Sequence, residues 1–202
     1  MRHAQSEANR REVLASQQDY PLSEEGEAQA LLIAKRFKAF LDERDKTIEH
    51  IIASPLLRAQ QTARPFEEAF GVKLETNELI IEQHLGRYSG MSYLEIEDEP
   101  GYMHDRTKRW DWIPAGGGES YRMLAQRIVG FFSTLETNDC LCVTHAVTMR
   151  LMHAVLTDTL PDYPEWIPAN GDIWEIDLER VGVVHSITTH HMIPELLTVS
   201  KA

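Results

Sequence analysis

Two stretches constrain the fold more than anything else in this sequence. "TIEHIIAS" (47–54) runs straight into "PLLRAQQTARPFEEAF" (55–70), and "CLCVTH" (140–145) runs straight into "AVTMRLMHAVL" (146–156). Each begins as a short strand-like apolar run and passes into a helical pattern with no intervening hairpin signal. "CLCV" is apolar on both faces, as a strand in the middle of a sheet must be, and Pro55 stands where the first turn of a helix tolerates proline. Strands that feed helices in this way belong to a mostly parallel sheet covered on both sides, which predicts a three-layer α/β/α sandwich.

The remaining segments fit that frame. "SEEGEAQALLIAKRFKAFLDER" (23–44) places Leu31, Ala34, Phe37, Phe40 and Leu41 near helical spacing, with Ser23 as N-cap and glutamates in the first turn. "VKLETNELI" (72–80) reads as a further strand, residues 81–118 as a long loop region, and "SYRMLAQRIVGFFSTL" (120–135) as a helix. "DIWEIDLERVGVVHSITTHH" (172–191) alternates, turns near Arg180 to Gly182, and predicts a hairpin at the sheet edge. The 202 residues suffice for one domain with a full core, expected over 1–202, and they contain no repeat, low-complexity tract or linker.

Charge narrows the partners. With 32 acidic against 20 basic residues the net charge is −12, so the overall field opposes nucleic-acid binding. No apolar run is long enough to span a membrane and no secretory signal pattern opens the chain, so a cytoplasmic protein without membrane association is expected. Cys140 and Cys142 lie two apart on one predicted strand, with near-parallel side-chain directions, and are expected to remain unbridged core thiols. A small anionic ligand remains compatible with the charge, provided arginine and histidine reverse the field locally.

In an open α/β sheet, ligands sit beyond the carboxyl ends of the strands, and the residues at those ends carry suitable chemistry. The segments "RHAQSEAN" (2–9), "SPLLRAQQTA" (54–63), "IEQHLGRYSG" (81–90), "GGGES" (116–120) and "VTHAVTMR" (143–150) occur in order. Together they resemble the histidine phosphatase superfamily, the phosphoglycerate mutase-like enzymes and related phosphatases. The similarity extends more faintly through "ANGDIWEI" (169–176). It implies a phosphomonoester hydrolase in which His3 accepts the phosphoryl group, Arg2, Arg58 and His145 grip its oxygens, Asn9 completes the pocket, and Glu82 protonates the leaving group. The implied catalytic set is His3, Glu82 and His145, with Arg2, Asn9 and Arg58 binding phosphate.

The chemistry is coherent without the resemblance. Phosphoryl transfer depends on positioning and on neutralising the equatorial oxygens, which forked guanidinium groups do without a metal ion. The same positive charges disfavour the imidazolium form and keep a histidine nucleophilic. No cofactor is called for, and the expected partner is a small phosphorylated substrate. A mutase shares such a pocket, but only the 33 residues 83–115 separate Glu82 from Gly116, short for a closing insertion, which favours the phosphatase. A member with a decayed site that binds a phosphorylated ligand or a partner protein is the other alternative.

Several residues read more simply. His50, His104, His153 and His185 receive no role, and adjacent His190 and His191 would point to opposite faces of a strand and share no metal ion. His84 is placed to support Glu82. Tyr88, Tyr93, Tyr102, Arg87 and Lys108 fall in the region that would roof the pocket and select the substrate, and "RWDWIP" (109–114) either walls the pocket or covers the sheet. The "GGGES" loop is expected near the site, with Ser120 or Glu119 starting the next helix.

The resemblance also exposes a departure. The family places a buried apolar strand before Arg-His, where this sequence has only Met1, and Ala4 replaces the usual glycine. The expectation is a sheet whose first strand is shortened or lost and a His3 on a fraying terminus, most simply because the start lies too late. A strand supplied from elsewhere, or a truncated product with little activity, would be the alternatives.

Overall fold

The computed structural model describes residues 1–135, 139–181 and 184–192, with side chains up to residue 176. Its centre is a parallel sheet in the order β2-β1-β3, formed by His50–Ala53 (β1), Leu74–Thr76 (β2) and Cys140–Val143 (β3). The β1–β3 register pairs His50 with Cys140 and Ala53 with Val143. Alternation along these strands sends Ile51, Ala53, Leu141 and Val143 to one face and Ile52 and Cys142 to the other.

Helices cover both faces. Short α1 (Glu7–Arg10) follows the N-terminus; α2 (Glu24–Asp42) and α3 (Leu57–Phe70) cover the first face through Ile33, Phe37, Ala59, Ala63 and Phe66. After the one-turn α4 (Tyr93–Glu97), α5 (Tyr121–Thr134) and α6 (Ala146–Leu156) cover the second through Leu124, Ile128, Phe131, Leu151 and Val155. Strands β4 (Trp174–Val181) and β5 (Val184–Met192) form the expected antiparallel hairpin, but as a two-stranded sheet of its own rather than as the edge of the central sheet among the described residues. This is the expected three-layer architecture.

Local chemistry fixes the ends. Ser23 Oγ accepts from Gly26 N at 3.1 Å, and α3 stops at Gly71, whose φ of 68° lets the chain turn off the helix. Gly26 has a second reason to lack a side chain: a Cβ there would sit 1.9 Å from Gln5 O, so its absence lets α2 press against the loop after His3. Some details differ from expectation. Leu31 is exposed, α3 begins at Leu57 with Leu56 as N-cap so that Pro55 precedes the first turn, and the 72–80 segment is a strand only over Leu74–Thr76 before one 3-10 turn, Glu78–Ile80.

The N-terminus does not fray. The Met1 ammonium donates to Cys142 O at 2.7 Å, Thr144 N donates to Met1 O at 2.8 Å, and His3 N donates to Thr144 O at 2.9 Å. On the other side Arg2 N donates to Asp172 O at 2.9 Å. Three residues thus form a parallel strand stub wedged between β3 and the segment entering β4, and Met1 and His3 are buried. Burial lowers the Met1 ammonium from its ordinary value of 8.0 to about 6.

Below this stub lies a cavity of about 520 Å³ between β3 and β4. Phe37, Phe40 and Leu41 line it from one layer, and Phe131, Phe132 and Met152 from the other. A residue in a parallel ladder turns its N–H and C=O toward the same neighbour, so with Cys142 O bonded to Met1 the main chain of Cys140 and Cys142 faces this space. Cys140 and Cys142 are unbridged, with Sγ atoms 3.5 Å apart.

Candidate active site

At the carboxyl ends of the strands a second cavity, of about 430 Å³, brings together residues far apart in sequence: Arg2, His3, Asn9, Arg58 and Glu82 all line it. His145, fully buried, stands behind His3 with ring centroids 5.2 Å apart. All six residues expected from the sequence therefore meet at one sheet edge.

His3 is 4% exposed and its Nδ1 lies 2.7 Å from Ala4 O. A carbonyl can only accept, so Nδ1 carries the proton and Nε2 keeps its lone pair. Burial, then the charges of Arg58 and Arg2, hold the imidazole neutral well below the usual histidine range. His145 is held neutral in the same way, first by burial and then by Arg58. Its Nε2 lies 2.7 Å from Ser54 Oγ at the end of β1, while its Nδ1 is buried with no hydrogen-bond partner among the described residues.

The two arginines are fixed by carbonyls. Arg58, 2% exposed, donates to Ser16 O at 2.7 Å and Gln18 O at 2.9 Å, and burial lowers its guanidinium to about 10. Arg2 donates to Pro168 O at 2.6 Å, leaving its buried Nε unpartnered among the described residues. Ser16 holds a left-handed φ of 51° and ties the 13–18 loop to the Glu82 segment by donating to Gln83 O at 2.9 Å. Glu82 sits at the N-terminal end of α6, where Oε2 accepts from Val147 N at 3.4 Å and Oε1 from Gln83 N at 2.9 Å.

Asn9 is committed through its carbonyl. Its Oδ1 accepts from Ser6 N at 3.1 Å and Asn170 Nδ2 at 3.0 Å, leaving the amide nitrogen as the group free in chemistry to donate to an anion. Asn170 also donates to His3 O at 3.0 Å, and Thr62 Oγ1 accepts from Ala4 N at 3.0 Å. These clamps, with Ser16, were not singled out from the sequence. The only signal for Thr62 and Asn170 was their place inside "SPLLRAQQTA" and "ANGDIWEI"; Ser16 lies in none of the quoted segments.

The glycine loop supports the same region. Glu119 pairs with Arg127 at 2.7 Å, Arg127 also donates to Glu82 O at 3.2 Å, and Ser120 caps α5. Gly86, at φ 56°, passes so close to this loop that a Cβ would meet Ala115 O at 2.2 Å. His84 does not support Glu82: its Nδ1 lies 3.0 Å from Gly117 O, so it braces the loop instead. Of the five residues expected to roof the pocket, Tyr93 and Tyr102 line it. Tyr88 packs in a buried cluster, Arg87 pairs with Glu99 and Lys108 with Asp105. Within "RWDWIP" the roles divide: Arg109 walls the cavity, Trp110 packs against the α5–α6 core, and Trp112 stacks on Tyr88.

No group of three or more His, Cys, Asp or Glu placed to hold a metal ion occurs among the described residues. No helix among them is long and apolar enough to cross a membrane. The side chains of His185, His190 and His191 lie outside the described residues, and with them the expectation about a metal pair.

The buried neutral groups predict an acid-labile fold. The unfolded chain protonates Met1 near 8.0 and histidine near 6.5, whereas the folded chain resists until about 6 at Met1 and well below 6.5 at His3 and His145. Stability from these groups is therefore intact above pH 8 and falls with pH, first from 8 to 6 through Met1, then below 6.5 through the histidines. The Met1 contribution alone is about 2–3 kcal/mol. Urea midpoints measured from pH 8 to pH 5 are expected to fall steadily, less so with inorganic phosphate present; a flat series would refute the burial of these groups.

An imidazole with a free Nε2, flanked by a second histidine and two buried guanidiniums at the C-terminal edge of a parallel sheet, defines the class, and the chain belongs to the histidine phosphatase superfamily, branch 1, which it matches over residues 1–186. Among its relatives is phosphoserine phosphatase 1 of Hydrogenobacter thermophilus, 31% identical over 164 residues, covering 77% of this chain and 74% of the relative. Another is a probable phosphoglycerate mutase of Photorhabdus laumondii, 34% identical over 195 residues, covering 92% of this chain and 84% of the relative. Among solved structures, the mycobacterial glucosyl-3-phosphoglycerate phosphatase complexed with VO3 superposes with a TM-score of 0.78 at 22% identity, covering 95% of this chain and 94% of that one. The superfamily relatives of this chain thus include both phosphatases and mutases.

Proposed function

We propose that this chain hydrolyses a small phosphorylated metabolite through a phosphohistidine on His3. The observation that carries the reading is the hydrogen bond from His3 Nδ1 to Ala4 O, which leaves Nε2 unprotonated in a cavity walled by Arg2 and Arg58. Nε2 attacks phosphorus as the ester P–O bond breaks. Arg2, Arg58, the Asn9 amide and the unpartnered Nδ1 of His145 take the equatorial oxygens, replacing the water that would otherwise stabilise them. Glu82 gives its proton to the departing alkoxide. Water then attacks phosphorus, the P–N bond breaks, and Glu82 takes the water's proton, releasing inorganic phosphate and neutral His3. No step calls on a metal ion.

A phosphatase relative at 31% identity supports hydrolysis, as does the short stretch between Glu82 and Gly116. The mutase relative is compatible with the same first half-reaction and differs in returning the phosphoryl group to a bound product instead of water.

The test is the leaving-group dependence of Glu82→Gln. An alkyl phosphate needs a proton on its leaving oxygen, whereas p-nitrophenolate leaves without one. The variant is expected to lose about 10²–10⁴ in kcat toward glycerol 3-phosphate and far less toward p-nitrophenyl phosphate. Equal losses on both would remove Glu82 from the role of proton donor.

A further inference from the structure

Four non-glycine residues hold a left-handed φ among the described residues: Glu12, Ser16, Asp45 and Asp158. Three of them are exposed, whereas Ser16, at φ 51°, is 4% exposed and lines the active-site cavity. Such a conformation needs little support at an exposed turn, but a buried one persists only where the surrounding bonds over-determine it. At Ser16 those bonds run to both walls of the cavity. Its carbonyl accepts from Arg58 Nη2 at 2.7 Å on one wall. On the other, its Oγ donates to Gln83 O at 2.9 Å and accepts from Leu85 N at 2.8 Å.

The second grip falls on the main chain just after Glu82. Gln17 Nε2 donates to Glu82 O at 2.8 Å, so residues 16 and 17 hold the oxygens of the two peptide groups that follow Glu82. The first of those peptides carries the Gln83 N–H that donates to Glu82 Oε1 at 2.9 Å. Fixing the two peptides therefore fixes where the carboxyl group stands. A hydroxyl has one hydrogen, and that of Ser16 is committed to Gln83 O, which makes the side chain a strut and not a donor to substrate. Glycine would reach the same φ without strain but would offer no Oγ. The flanks of the loop are anchored independently: Gly90 N donates to Leu14 O at 2.7 Å, and Asp19 Oδ1 accepts from Leu57 N at 2.8 Å.

Resting on the phosphatase reading, we infer that Ser16 is a positioning residue for proton delivery, setting Glu82 against the phosphoryl group that Arg58 holds. Its carbonyl orders the guanidinium and its hydroxyl orders the segment of the acid, so one residue fixes the spacing between the two. A reacting group misplaced by about 1 Å costs up to about 10²-fold in rate, which outweighs the conformational cost of a left-handed serine. Loss of the hydroxyl alone leaves the bond from Arg58 to the carbonyl, and with it phosphate binding, in place.

The test compares Ser16→Gly and Ser16→Ala with the wild type in steady-state turnover of glycerol 3-phosphate and p-nitrophenyl phosphate, in inhibition by inorganic phosphate, and in Tm. Both variants are expected to lose about 10–100-fold in kcat toward the alkyl ester, whose leaving oxygen needs the proton, and about threefold or less toward the aryl ester. The inhibition constant for phosphate is expected to stay within about twofold, since the Arg58 bond survives. Ser16→Gly, relieved of the left-handed strain, is expected to melt above Ser16→Ala while sharing its kinetic defect. Losses equal on the two esters and ordered as the Tm values would overturn the inference and leave Ser16 a purely structural residue, as would undiminished turnover of the alkyl ester by Ser16→Gly. Absence of turnover of either ester by the wild type would refute the hydrolase reading itself, and the role of Ser16 with it.

Discussion

Replacing Arg58 with methionine is expected to lower kcat/KM toward a phosphomonoester about 10³-fold. Methionine keeps the length and apolar stem of the side chain but removes the guanidinium that is proposed to grip the phosphoryl oxygens from the cavity wall. It also removes the second-largest influence holding His3 neutral, after burial itself, so the pH below which activity fails is expected to move upward. Ser16 O and Gln18 O lose their donors, costing about 1–3 kcal/mol of stability. The pH–rate profile and the affinity for inorganic phosphate separate these effects from a folding defect. A variant within tenfold of wild type, with an unmoved profile, would show that Arg58 does not address the phosphoryl group.

The second large effect concerns the cavity between β3 and β4. Extending the chain by four apolar, β-branched residues before Met1 is expected to lay a strand along Cys140–Cys142, parallel to β3. The inserted side chains would meet Phe37 and Leu41 on one face and Phe132 and Met152 on the other. Burial of four such side chains, set against the entropy of ordering four residues, leaves a net gain of about 3 kcal/mol. The extension also converts the buried ammonium of Met1 into an amide that makes the same bond to Cys142 O. Tm is expected to rise by about 6–12 °C, and the part of the pH dependence between 8 and 6 to disappear. An unchanged or lower Tm would mean that the cavity does not accept a strand.

The sandwich was legible because strand-then-helix succession is a local pattern, written within residues 47–70 and again within 140–156. So was the meeting of the six residues at one sheet edge, since each lies inside one of the segments that carry the family resemblance. The anchoring of the N-terminus was not, because it depends on bonds from Met1 to Cys142 and from Arg2 to Asp172, between residues that nothing local connects. Reading only forward from Met1, a fraying terminus followed; pairing across the sheet reverses that result.

The same limit left "RWDWIP" open between walling the pocket and covering the sheet, because Arg109 reaches the cavity wall only through its packing beside residues such as Tyr121 that nothing local connects to it. His84 misled for the opposite reason: closeness in sequence to Glu82 suggested support, but the turn at Gly86 carries its ring toward Gly117. Proximity along the chain predicts contact within a helix or strand and fails where a loop reverses direction.

The most direct measurement is rapid quench of the wild-type chain and His3→Ala with a ³²P-labelled phosphomonoester, followed by mapping of alkali-stable, acid-labile phosphate on the protein. The account predicts a label confined to His3, formed and discharged at least as fast as turnover, and neither label nor turnover in the variant. Turnover by wild type without label on His3, or undiminished turnover by His3→Ala, would contradict it.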